Sequence, residues 1–61
     1  MKVAVIMSTY NGEKYIREQI DSILNQTGVE VELFIRDDGS KDNTVKIIEE
    51  YEQKYSNVHV D

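Results

Sequence analysis

The stretch Phe34-Ile35-Arg36-Asp37-Asp38-Gly39-Ser40-Lys41-Asp42-Asn43-Thr44 decides how this chain is read. An apolar run stops at two carboxylates and a glycine, and a serine follows. Residues of these last types favour turns and helix caps, so the stretch predicts a strand that carries acidic side chains to a sheet rim and turns there into a helix. An earlier stretch, Val3-Ala4-Val5-Ile6-Met7-Ser8-Thr9-Tyr10-Asn11-Gly12, has the same shape. The two are expected to lie side by side.

Outward from these junctions the chain alternates regularly. Val3 to Met7 is apolar at every position, the pattern of a strand in a parallel sheet buried on both faces. Ile16, Ile20, Ile23 and Leu24 recur as one stripe of an amphipathic helix, with Asn11 as its expected N-cap, Glu13 matched to the positive end of its dipole and an end near Gln26 or Thr27. Gly28 suits a left-handed closing residue. Val29 to Arg36 resumes an extended pattern, with Val31, Leu33 and Ile35 on one face and Glu32, Phe34 and Arg36 on the other. Because it is less uniformly apolar than the first strand, it is expected nearer the sheet's flank. Ser40 is the expected cap of a second helix with Asp42 in its first turn and Val45, Ile48, Tyr51 and Tyr55 as its apolar stripe, while Lys46, Glu49, Glu50 and Glu52 form a solvated face. Asn57 to Asp61 opens a third strand.

The order is β-α-β-α-β, and right-handed parallel crossovers follow from it. Both helices then fall on one face of the sheet and the other face is bare. A first strand apolar on both sides makes sense only if something covers that second face. Residues 1–61 are therefore expected to be the N-terminal part of a larger domain, and alone to self-associate through the bare face and the free edge of the first strand.

The composition narrows the function classes. A chain of 61 residues is at most one small domain with a marginal core. It has no cysteine, which removes disulfide and thiolate-metal scaffolds. Twelve acidic against seven basic residues disfavour a nucleic-acid partner. The apolar run at the N-terminus is too short for a membrane span or a signal peptide, so a cytoplasmic setting is expected.

In open parallel sheets ligands collect beyond the carboxyl ends of the strands, where Ser8-Thr9-Tyr10 and Asp37-Asp38 fall. A carboxylate there can accept a hydrogen bond from a base N–H or a ribose hydroxyl, and a tyrosine ring can stack on a base. The same residues read equally well as a turn, a cap and a packed aromatic. Neither glycine-bearing turn fits the dinucleotide fingerprint or the phosphate loop, and the run from Asp37 to Asn43 lacks the ligand spacing of a calcium loop. His59 is the only histidine, and a structural role is the simpler reading. Asn25-Gln26-Thr27 matches the glycan-acceptor pattern by chance.

Taken together, Val5-Ile6-Met7-Ser8-Thr9-Tyr10-Asn11-Gly12-Glu13, then Ile20-Asp21-Ser22-Ile23-Leu24-Asn25-Gln26-Thr27, then Arg36-Asp37-Asp38-Gly39-Ser40-Lys41-Asp42-Asn43-Thr44 resemble the N-terminus of a family 2 glycosyltransferase. The resemblance covers nearly the whole chain. It implies the start of a GT-A, Rossmann-like fold, and an inverting enzyme that moves a sugar from a nucleotide diphosphate donor to a hydroxyl of an acceptor saccharide or lipid-linked glycan. Similarity to bacterial rhamnosyltransferases, in Ser-Thr-Tyr-Asn-Gly-Glu followed by Ile-Arg-Asp-Asp-Gly-Ser, adds dTDP-sugars to UDP-sugars as donors.

Position by position, the resemblance puts Ser8, Thr9 and Tyr10 around the nucleoside, with Tyr10 stacking. Asp38 matches the acid that bonds the pyrimidine. Asp37 matches its companion, either a contact or a turn residue, and Glu13 matches a frequent family acid with a ligand role or dipole compensation alone. The family's divalent metal, Mg or Mn, and its general base have no counterpart in these residues. The chain alone is therefore expected to be inactive, and the full-length protein to work in the cytoplasm at the inner face of the membrane. The competing reading is a small self-associating α/β module without catalytic activity.

Overall fold

A computed structural model describes all of residues 1–61. Strands and helices alternate along it as β1 (Lys2–Thr9), α1 (Ile16–Leu24), β2 (Glu30–Asp37), α2 (Thr44–Lys54) and β3 (Val58–Val60). Both strand pairings are parallel and the order across the sheet is β1-β2-β3. This is the expected half-sheet: a parallel return needs a helix-length crossover, and each apolar stripe supplies one.

Side-chain alternation along the strands sorts the molecule into two sides. Val31, Leu33 and Ile35 of β2 and Val58 of β3 point toward the helices and join Ile16 and Ile20 of α1 and Ile47, Ile48 and Tyr51 of α2 in one buried cluster. Val5 and Met7 pack on its margin. Each fully buried isoleucine or leucine contributes about 2 kcal/mol by leaving water, and β2 supplies the middle of this layer. The Tyr51 hydroxyl, at the edge of the cluster, donates to Asp21 Oδ1 at 2.7 Å and ties α2 to α1.

The opposite side is bare, as the one-sided helix placement required. Ile6 is 82% exposed and Phe34 44%, and with Ala4, Arg36 and His59 they line an open concavity of about 570 Å³. His59 stacks on Phe34 with 5.0 Å between ring centroids, and its Nε2 lies 2.6 Å from Glu32 Oε2. This histidine serves the surface, in line with the simpler reading of its sequence.

Some local expectations are corrected. The second strand is central, not flanking. Its polar residues Glu30, Glu32 and Arg36 all point to the bare side, so their alternation reports an uncovered face and not an edge. The uniformly apolar β1 is the edge strand, and beside it a groove of about 620 Å³ runs along α1 past Val5, Met7, Tyr15 and Ile23. Helix α1 ends at Leu24, with Asn25 following as its cap, earlier than the sequence suggested. Gly28 has φ +79° as expected but lies beyond the helix, in the connection to β2. On α2 the buried stripe is Thr44, Ile47, Ile48 and Tyr51, while Val45 and Tyr55 are only partly covered.

Candidate functional site at the carboxyl ends of the first two strands

The parallel ladder pairs Thr9 with Asp37, and Asp38 N donates to Thr9 O at 2.9 Å just beyond it. The β1–α1 and β2–α2 loops thus leave the sheet at adjacent points. They are joined by hydrogen bonds that neither makes within itself. Asn11 N donates to Ser40 Oγ at 2.8 Å, and Lys41 N donates to Asn11 Oδ1 at 2.8 Å. Gly12 N donates to Thr44 Oγ1 at 2.8 Å, Glu13 N to Asp42 Oδ2 at 3.2 Å, and Asn43 Nδ2 to Glu13 Oε2 at 3.1 Å. Asn11 takes φ +48° to make its two bonds, a conformation that asparagine tolerates better than most residues.

This clasp replaces the two caps expected from sequence. Neither Asn11 nor Ser40 caps a helix; the cap positions are Tyr15 and Asn43, and neither makes a side-chain cap bond. Instead Gly12 O accepts from Tyr15 N and Ile16 N to start α1. Asp42 sits before α2, not in its first turn, and its Oδ1 accepts from Thr44 N at 3.0 Å and from Thr44 Oγ1. The side chains of Asn11 and Ser40 accept from loop N–H groups and not from the first-turn N–H groups that a cap would satisfy, which is why residue type announced a bond to backbone N–H but not the partner.

Asp37 is the hub of the second loop. Its Oδ1 accepts from Thr9 Oγ1 at 2.8 Å and from Ser40 Oγ, and its Oδ2 accepts from Gly39 N at 3.0 Å and Ser40 N at 2.8 Å. Partial burial pushes this carboxyl up, but the bonds from Ser40, Thr9 and Gly39 outweigh it and hold it below the ordinary range. Asp42 is likewise held low, chiefly by the Thr44 hydroxyl, against a desolvation that raises it. Gly39, at φ +91°, supplies the left-handed corner that brings both N–H groups onto Asp37.

Alternation divides the sequence-predicted site residues between the two sides of the sheet. Thr9 is buried and Asp37 half-buried on the helix side, their polar atoms bonded to each other. Of the two meanings left open for Asp37, these bonds match turn geometry. Ser8 falls on the opposite side, Tyr10 and Asp38 are the first residues past β1 and β2, and all three are exposed. Asp38 accepts no hydrogen bond; its one polar contact is Arg36 Nε, 3.8 Å from Oδ1. Glu13 is exposed and bonded to Asn43, and it precedes α1 by three residues, so the first-turn acid at the dipole is Glu18 and not Glu13. Arg36 was absent from the sequence-derived set, although it stands near the end of β2, two residues before Asp38. Thr44 was missed for want of any signal, since a threonine opening a helix looks ordinary.

The residues present do not fit a divalent cation. Asp37 and Asp42 spend their oxygens within the loops, and no group of three or more His, Cys, Asp or Glu side chains converges anywhere in the chain. The arrangement offers instead a flat aromatic and one unspent carboxylate at adjacent strand ends, suited to a planar heterocycle bearing an N–H donor.

Comparison with known proteins gives the family and the fold. The model of the family described as Glycosyl transferase family 2 matches residues 4–61. A dTDP-rhamnosyl transferase of Shigella flexneri, RfbG, is 48% identical over 52 residues, 85% of this chain and 18% of that protein. The putative glycosyltransferase EpsE of Bacillus subtilis is 46% identical over 55 residues, 90% of this chain and 20% of that protein. A crystal structure of S. aureus TarS superposes with a TM-score of 0.81 at 44% identity, over 98% of this chain and 18% of that one. The same protein solved in complex with UDP superposes equally well. The chain spans a fifth or less of the length of these relatives. Its motifs, its parallel half-sheet and these identities agree, and the chain belongs to glycosyl transferase family 2.

Proposed function

We propose that residues 1–61 form the nucleoside-binding N-terminal portion of a larger glycosyltransferase domain, and that the whole protein transfers a sugar from a UDP- or dTDP-sugar to an acceptor hydroxyl with inversion. One observation carries this reading. Of the acids in the two loops, Glu13, Asp37, Asp38 and Asp42, only Asp38 has a carboxylate free of hydrogen bonds, and it is exposed just past the end of β2, as Tyr10 is just past the end of the paired β1. Uracil and thymine present an N–H donor that such a carboxylate accepts, and Tyr10, 59% exposed, offers its ring to the base. The relatives named for dTDP-rhamnose transfer and solved with UDP support both donors.

In the whole reaction an acceptor oxygen bonds to the anomeric carbon as the bond from that carbon to the nucleotide diphosphate breaks. The acceptor proton passes to a base and the diphosphate leaves with the electron pair. The residues here take part by holding the nucleoside. The acceptor is a saccharide or lipid-linked glycan, met in the cytoplasm at the inner face of the membrane. The Mg or Mn ion expected on the donor draws its ligands, in this proposal, from outside residues 1–61, and the chain alone is inactive. No helix here is long and apolar enough to cross a membrane.

Titration of the 61-residue chain with dTDP and UDP, followed by amide and side-chain NMR shifts, tests the reading. Saturable shifts at Tyr10 and Asp38, absent in Asp38→Asn, are expected; a spectrum unmoved by both nucleotides overturns it. A second reading, a self-associating module, rests on the exposure of Ile6 and Phe34. It predicts a concentration-dependent dimer in sedimentation and no response to nucleotide.

A further inference from the structure

Arg36 was assigned no role in the sequence, yet it is the ion-pair partner of the acid on which the nucleoside reading depends. Its Nε lies 3.8 Å from Asp38 Oδ1. Arg36 points to the bare side near the end of β2, and Asp38 is the first residue past that strand. Ladder register sets Ser8 beside Arg36 on the β1 side. On the other side, Asp61 N donates to Ile35 O at 2.9 Å and continues the β3 ladder. Arg36 lines the concavity that Ile6 and Phe34 share, and its guanidinium Nε lies toward Asp38 just past the strand end. Among the strand residues of the bare side, the other basic side chain is Lys2, at the opposite end, near Glu32.

The geometry has a chemical consequence for the acid. An exposed carboxylate with no hydrogen bonds has two equivalent oxygens and a freely turning terminal torsion. Binding a base N–H then costs the entropy of fixing that torsion, as well as the carboxylate's hydration. A cation at Oδ1 removes the equivalence: one oxygen is held and Oδ2 is left for the ligand. We infer that Arg36 is a positioning residue for the nucleoside site, fixing the Asp38 carboxylate so that its second oxygen meets the N–H of a uracil or thymine base. Cytosine presents an acceptor at that ring position and meets carboxylate lone pairs instead, so the fixed oxygen also sharpens discrimination between pyrimidines. The assignment rests on the nucleoside reading above.

The test measures dissociation constants of dTDP, UDP and CDP by NMR titration of the 61-residue chain and of Arg36→Gln, Arg36→Lys, Asp38→Asn and the double variant. Amide-shift dispersion serves as the control for folding. Arg36→Gln is expected to weaken dTDP and UDP about threefold at low salt, within the range of an exposed ion pair, and to leave CDP unchanged. Arg36→Lys restores part of the loss. In the Asp38→Asn background Arg36→Gln adds nothing, because the residue acts through the acid. Near 1 M salt, where the screening length is about 3 Å, the difference between wild type and Arg36→Gln collapses; a purely structural effect on the strand survives that salt. Undiminished affinity in Arg36→Gln, or an equal loss with and without Asp38, overturns the assignment while leaving the nucleoside site intact. Absence of dTDP and UDP binding in the wild-type chain overturns the nucleoside reading and this assignment together.

Discussion

Replacement of Asp37 by asparagine removes a charge without changing shape, at the point where the second loop is held together. The carboxylate accepts four hydrogen bonds, two from hydroxyls and two from backbone N–H groups. Turned to keep its oxygen on the Gly39 and Ser40 N–H groups, the amide presents its NH₂ to the Thr9 and Ser40 hydroxyls, which must rotate to accept. Every bond falls from charge-assisted to neutral, a loss of about 1 kcal/mol each. Solvent reaches this half-exposed turn, so about half of the sum survives, and Asp37→Asn is expected to cost about 2 kcal/mol at pH 7. The chain has four tyrosines and no tryptophan, so urea unfolding is best followed by circular dichroism. With a urea slope of about 1 kcal/mol per molar for so small a chain, the midpoint should fall by about 2 M. The pH dependence fixes the mechanism. A folded-state carboxyl pKa below the unfolded value of about 4 gives stability that is complete above that value and lost as pH falls through the folded one. The gap between wild type and variant should therefore be constant above about pH 5 and close toward pH 2. A gap below about 0.5 kcal/mol at pH 7, or one that persists undiminished at pH 2, would refute the account of Asp37 as a charged hub.

Other perturbations probe separate parts of the structure. Thr44→Val keeps the shape of a fully buried side chain but strands the Gly12 N–H, and should destabilise by about 1–3 kcal/mol in the same urea assay. Leu33→Ala empties the centre of the core and should cost about 2–5 kcal/mol. Ile6→Thr, on the bare side, should move stability by no more than about 0.5 kcal/mol while weakening any dimer seen by sedimentation. Tyr51 is pushed up by burial and by its bond to Asp21, with Arg17 opposing. That stabilisation is complete below the unfolded tyrosine value of about 10 and lost as pH rises through the folded one, so Tyr51→Phe should flatten the alkaline limb of the stability profile.

The fold was legible because each element carried its own period. The stripe of Ile16 and Ile20 and the alternation of Val31, Leu33 and Ile35 named helix and strand, and the lack of any short antiparallel return set the direction of pairing. Position within the sheet was not legible. Polar residues at Glu30, Glu32 and Arg36 look the same whether a strand lies at an edge or has an uncovered face, and only the register separates the two. At the site, residue chemistry chose the right neighbourhood but not the division of labour. Asp37 and Asp38 are identical in type and adjacent, but the first ends the strand and turns into the loop's own hydrogen bonds while the second, just past it, is exposed. Asn11 and Ser40 have the composition of caps because the side-chain oxygen of each accepts from a backbone N–H, but their partners belong to the other loop, some 30 residues away in sequence.

The clasp that joins Asn11 to the Ser40 hydroxyl and the Lys41 N–H constrains how this chain can vary. Ordinary surface loops accept insertions because their backbone groups turn to water. Here an added residue between Thr9 and Gly12 would shift Asn11 out of reach of Ser40 and Lys41 and draw Gly12 away from Thr44, so damage in one connection appears in the other. The two connections open to solvent as one cooperative unit. The amides of Asn11, Gly12 and Lys41 should exchange hydrogen at a common rate, and lengths tolerated at one junction are set by the length of its partner.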